Sequence, residues 1–249
     1  MRKILLLTKR TIKEVTGRPL MRALLITGFV SSCAAVILLT RDQPIDQFTA
    51  VMQYPCLMMV WGWILALCLS LLHIRDRRQG FLRRFTPNEA GPASFYTAYR
   101  LSGIVMYLIA QILWMSVALI FGLWPLSALA AGLYRMALPW DTVISLTLLL
   151  SVTLKRRRSV VPLTILFGLS LMWLSGWFIS PELFGDGVYG VIRLLPSEQI
   201  VLWTRSFIPG RAPLTDLFLL PVYDALFTLA GLIMASKEEK SGMKGGRRA

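Results

Sequence analysis

The chain has 249 residues, of which 55% are hydrophobic and only 16% charged, and its mean hydropathy is +0.61. That balance excludes an ordinary soluble domain of this length and points to a membrane protein. The formal charge of +14 would suit nucleic acid only if the cations shared one soluble face; here they lie between apolar runs, so the expected partner is the lipid bilayer and not nucleic acid.

Residues 1–19 read as an amphipathic helix on the inner membrane face, with Ile4, Leu5, Ile12 and Val15 toward lipid and Lys9, Arg10 and Lys13 toward water. The apolar piece Ile4 to Leu7 is too short for a secretory core, so no cleaved signal is expected. "GRP" at Gly17 to Pro19 breaks this helix. Residues 20–236 follow as a transmembrane domain with six runs long enough to cross about 30 Å of hydrocarbon: Leu20–Thr40, Met52–Ile74, Leu101–Leu123, Met136–Leu154, Val160–Ile179 and Leu214–Ser236. Since lipid offers peptide groups no partner, these runs are expected as helices and the fold class as all-α.

Lys and Arg set the orientation. With a cytoplasmic N-terminus, 21 of them fall in inner segments and 5 outside, with Arg22 left near the inner end of the first span. Both termini are therefore expected in the cytoplasm of a multi-pass cell-membrane protein. The inner loop is placed at 75–100, a tight inner hairpin at "KRRRS" from Lys155, and an outer cap at 180–213. The cap holds two apolar pieces, Val188–Leu195 and Gln199–Phe207, too short to span and bounded by Gly187, Pro196 and Pro209, so short re-entrant or capping helices are expected. Residues 237–249, polar and Gly-containing, read as a disordered cytoplasmic tail.

The inner loop begins "HIRDRRQGFLRRF", His73 to Phe85. Arg75, Arg77, Arg78, Arg83 and Arg84 surround Gly80 and a helical cluster of Phe81, Leu82 and Phe85. Such a surface has two uses: topogenic anchoring on anionic headgroups, or docking into a groove of another protein.

Catalytic constellations are missing from the sequence. His73 is the single histidine, which removes HExxH zinc sites and His-paired nucleophiles, and there is no P-loop. Cys33, Cys56 and Cys68 lie inside spans at unrelated spacings and read as apolar packers. Asp224 sits ten residues beyond Leu214, about 15 Å along a helix and near the membrane midplane, so it should face protein or water. A pathway group and a hydrogen-bonded packer both fit it. Asp141, Asp216 and Arg135 read as headgroup-layer residues, and Trp61, Trp63, Trp173 and Trp177 either line a cavity or pack.

The order of these features resembles the membrane subunit of type-2 ABC exporters. "RDRRQGFLRRFTP" (Arg75–Pro87) is similar to the family's inner loop, and Ser175, Gly176, Pro181, Leu195, Pro196 and Arg205 occupy the positions of its outer segment. The resemblance implies that Arg75, Arg77, Arg78, Gly80, Phe81, Leu82, Arg83, Arg84 and Phe85 form a coupling helix, with Pro181, Pro196 and Arg205 in the outer cap. It also implies a cytoplasmic ABC ATPase subunit and a second permease protomer as partners. The chain itself would be no enzyme and hold no cofactor, ATP and Mg being bound by the ATPase. "GWILALCLSLLHIRDRRQGFL" and "VTLKRRRSVVPLTILF" also resemble the haem-exporter membrane subunit. A membrane anchor without transport remains the rival reading.

Overall fold

The computed structural model describes residues 2–40, 47–79, 91–120, 126–154, 157–174, 183, 185–205 and 218–245. Among these residues every regular element is a helix: α1 (Arg2–Gly17), α2 (Pro19–Thr40), α3 (Gln47–Arg78), α4 (Pro92–Ile120), α5 (Leu126–Leu154), α6 (Arg157–Leu174), α7 (Asp186–Ile192), α8 (Pro196–Arg205) and α9 (Leu219–Gly245). Three of them carry stretches long and apolar enough to cross a membrane, namely Ala93–Val117, Met136–Leu154 and Leu219–Lys237.

The centre of the bundle is α5, which packs against α3, α4 and α9. Trp140, Val143, Ile144, Leu148 and Val152 repeat at helical spacing and are buried, and so are the intervening Thr142, Ser145, Thr147 and Ser151. A helix buried all round must satisfy its own hydroxyls, and it does: Thr142 donates to the Leu138 carbonyl, Thr147 to Val143, and Ser151 to Leu148. Above this polar stretch an aromatic group closes the core, with Trp61 and Tyr107 at 5.0 and 4.5 Å from the Trp140 ring. Trp61 is thus packed, its indole N–H donating to the Leu25 carbonyl at 2.9 Å. Trp63 lies against Gly168 of α6, whereas the side chains of Trp173 and Trp177 lie outside the described set.

The surrounding helices are apolar outward. Leu24, Ile26 and Val30 on α2, Ile109, Ile112 and Leu113 on α4, Ile165, Leu166 and Leu169 on α6, and Val222, Leu226, Leu229 and Ile233 on α9 are all exposed. In water such a surface would aggregate; in a bilayer it is the lipid-facing shell.

Several boundaries differ from the hydropathy pattern. The helix containing the third span starts at Pro92, so Arg100 lies within α4 and not in an inner loop. The cause is composition: the first three turns of α4 carry Tyr96, Thr97, Tyr99 and Arg100, which lower hydropathy but do not end a helix as Gly or Pro would. The helix of the fourth span starts ten residues early, at Leu126. At the other end α9 runs past Ser236 to Gly245, through the good helix formers Lys237, Glu238, Glu239 and Lys240, where a disordered tail was expected. The expected lipid face of α1 is also revised. Thr8, Thr11 and Val15 are buried against protein, while Leu5 and Leu6 are exposed. Periodicity reveals an apolar stripe but not whether lipid or a neighbouring helix covers it.

Candidate functional site

Two polar clusters tie the helices together. The first lies within the bundle, where each of three helices contributes two polar residues one turn apart: Tyr96 and Arg100 on α4, Asp141 and Ser145 on α5, and Asp224 and Thr228 on α9. Their i, i+4 spacing puts both members of each pair on one face. Arg100 grips Asp141 with the Nε and Nη2 edge of its guanidinium, at 2.7 and 2.5 Å, and Nη2 also reaches Asp224 at 2.9 Å. Ser145 donates to the other Asp224 oxygen at 3.3 Å and lies 3.2 Å from the Thr228 hydroxyl. The Tyr96 hydroxyl shares its proton between the carbonyls of Ser145 and Phe227, at 3.2 and 3.4 Å.

One guanidinium facing two carboxylates, with side-chain exposures of 22%, 17% and 12%, is a linkage of three helices through charge. At an effective dielectric constant of about 20, unit charges about 4 Å apart attract by about 4 kcal/mol, so no member is easily withdrawn while the others stay. Asp141 is therefore part of an internal charge cluster, where the sequence suggested the headgroup layer. It lies 15 residues inside α5, about 22 Å from the helix start, because the helix begins well before the apolar window that located it. Asp224 faces protein and is hydrogen-bonded, whereas the partners that hold it, Arg100 and Asp141, were not foreseen from the sequence. The three i, i+4 polar pairs were the available signal.

The second cluster fastens α1 to the ends of α3 and α4. Asp76 is completely buried, and one of its oxygens accepts from Arg10 at 2.7 Å and from the Tyr99 hydroxyl at 2.8 Å. Beside it Glu14 accepts from Arg18 at 3.0 Å and from Arg75 at 3.3 Å. The Ser102 hydroxyl lies 3.3 Å from the Thr8 carbonyl, and Thr8 in turn is 3.5 Å from the Ala98 carbonyl. The N-terminal helix is thus joined by two acids and their cations to the last turns of α3 and the first turns of α4.

The arginines of that segment are divided. Arg75 bonds Glu14 and Gln79, and Arg77 donates to the Val152 carbonyl at 2.9 Å, capping the last turn of α5. Burial pushes the Arg77 guanidinium below its ordinary value, and the carbonyl at its tip offsets that cost. Arg78 is exposed. Gly80, Phe81, Leu82, Arg83, Arg84 and Phe85 lie outside the described residues, as does Pro181. Pro196 opens α8 and Arg205 closes it. His73 is buried beside the Tyr99 ring with Nδ1 3.0 Å from the Ser151 hydroxyl, and presents no open imidazole. The described residues contain no group of His, Cys, Asp and Glu able to hold a metal.

The model of the ABC-2 type transporter family matches residues 2–201. The chain belongs to that family. No curated protein matches the sequence. For an ABC-2 chain the arrangement is chemically coherent: a membrane transport domain with two internal charge linkages, one deep in the bundle and one where α1 meets the end of α3 and the start of α4.

Proposed function

We propose that this ABC-2 chain is the permease subunit of an ATP-driven exporter with six membrane spans and both termini in the cytoplasm. It works as a dimer with a separate cytoplasmic ATPase. Family membership over residues 2–201 carries the reading, and the loop sequence supplies the chemistry for docking. Phe81, Leu82 and Phe85 would fill a groove of the ATPase, with Arg78, Arg83 and Arg84 as a steering rim.

The two charge clusters support a route for the work. A push on the loop arrives at Arg75, Asp76 and Arg77, which are bonded to α1 and to the last turn of α5, so α1, α3, α4 and α5 would respond as one lever. Deeper in the bundle Arg100, Asp141 and Asp224 would carry that motion to α9. A stiff connection suits the task because a charge-linked bundle has few intermediate arrangements.

Replacing Phe81, Leu82 and Phe85 together by Asp tests the docking. The variant is expected to insert normally, with wild-type abundance in the membrane, and to lose its ATPase partner on purification. Retention of the partner at wild-type stoichiometry would make the loop purely topogenic.

A further inference from the structure

A cleft of about 240 Å³ opens on the lipid-facing side between α1, α2, α3 and α4. Its walls are apolar: Ile12 of α1, Leu25 and Phe29 of α2, Trp61 of α3, and Met106 and Ile109 of α4 are among them. The polar atoms nearby are spoken for, since the Thr16 hydroxyl donates to the Ile12 carbonyl and the Trp61 indole to the Leu25 carbonyl. The exception is Arg22. It lines the cleft from the first turn of α2, its side chain is exposed, and among the described residues it has no carboxylate partner. The neighbouring Arg18, in contrast, is paired with Glu14.

We infer that this cleft binds an anionic phospholipid, one acyl chain lying in the apolar slot and the phosphate on Arg22. Three observations select that occupant. The exposed Ile26, Ile109 and Leu113 at its rim place the opening against hydrocarbon. From Arg22 to Phe29 the slot follows about 10 Å of α2, so it is elongated along the helix as an acyl chain is. An arginine at the end of a span extends its guanidinium toward the headgroup layer, where phosphate is the available counter-charge. The seat has a mechanical setting as well, because Ile12 and Thr16 of α1 line it, and that helix is held to Asp76 and Arg75. The inference stands independently of the transport reading.

Native mass spectrometry of the full chain with whatever copurifies, after equilibration in vesicles of equal phosphatidylglycerol and phosphatidylcholine, reads the site directly. The wild type is expected to retain one lipid per protomer, with phosphatidylglycerol favoured about fivefold, as one cation near a membrane surface provides. Arg22→Gln should bring that preference close to one, and Arg22→Lys should keep it. Ile109→Trp, at an exposed position on the rim, should expel lipid of either kind. If Arg22→Gln does not accumulate, Ile109→Trp decides alone. Retention of phosphatidylglycerol unchanged in both variants overturns the inference, as does a wild type without preference. Dissociation of a dimer by Ile109→Trp with lipid retention unaltered also overturns it, since a second copy would then cover the cleft.

Discussion

Arg100 carries two carboxylates on one guanidinium, and its loss should be felt by three helices at once. Arg100→Ala leaves Asp141 and Asp224 facing each other without a cation, and the expected cost is about 3–5 kcal/mol, read as a lower thermal midpoint in detergent. Adding Asp141→Asn to Arg100→Ala removes charge from both sides and should recover part of the loss; equal destabilisation of the single and double variants would contradict a coupled pair. Close approach makes a second prediction at this scale. A Cβ on Gly231 would overlap the Tyr96 ring, so Gly231→Ala is expected to cost about 1–3 kcal/mol, and an unchanged midpoint would mean that the helices part easily there. Little of this was legible beforehand. Asp224 stood out because it lies in an apolar run, but Arg100 and Asp141 sit beside the edges of apolar windows, where charges are ordinary. Only the tertiary pairing of α4, α5 and α9 turns three separate i, i+4 pairs into one cluster.

At the level of elements, α1 behaves as part of the bundle. Its amphipathic pattern was plain in the sequence, and so was the break at Gly17 to Pro19. What the pattern could not distinguish was lipid from protein as the cover of its apolar side. Thr8, Thr11 and Val15 are buried where α1 packs on the bundle, and the Thr8 hydroxyl is satisfied by the carbonyls of Ile4 and of Ala98 on α4. Asp76 with Arg10 and Tyr99 then holds the helix in place. Arg10→Ala is expected to loosen it, leaving a buried carboxylate with only the tyrosine hydroxyl, and hydrogen exchange over residues 2–17 should rise by an order of magnitude or more, as a loss of about 2 kcal/mol in local stability gives. Exchange unaltered across α1 would show that apolar packing alone fixes it. The ends of α4, α5 and α9 follow the same lesson: hydropathy finds the membrane-crossing part of a helix, whereas the helix itself continues for as long as its residues favour it.

For the molecule as a whole, the helical class and the family were legible from composition and from the order of features, because lipid leaves so few backbone solutions. The internal charge linkages were not, since pairing between distant helices has no local signature. Together they describe a protein with a lipid-facing shell, a charge-linked interior and an α3 C-terminus bonded to α1 and α5. Such a construction is suited to receiving motion from outside itself. Purification of the chain from its native membrane, followed by an assay of ATP hydrolysis, tests that central claim most directly. The account predicts a copurifying chain with a Walker motif whose hydrolysis depends on this subunit and falls severalfold when Phe81, Leu82 and Phe85 are replaced by Asp. A stable, active-state monomer without any nucleotide-hydrolysing companion would contradict it.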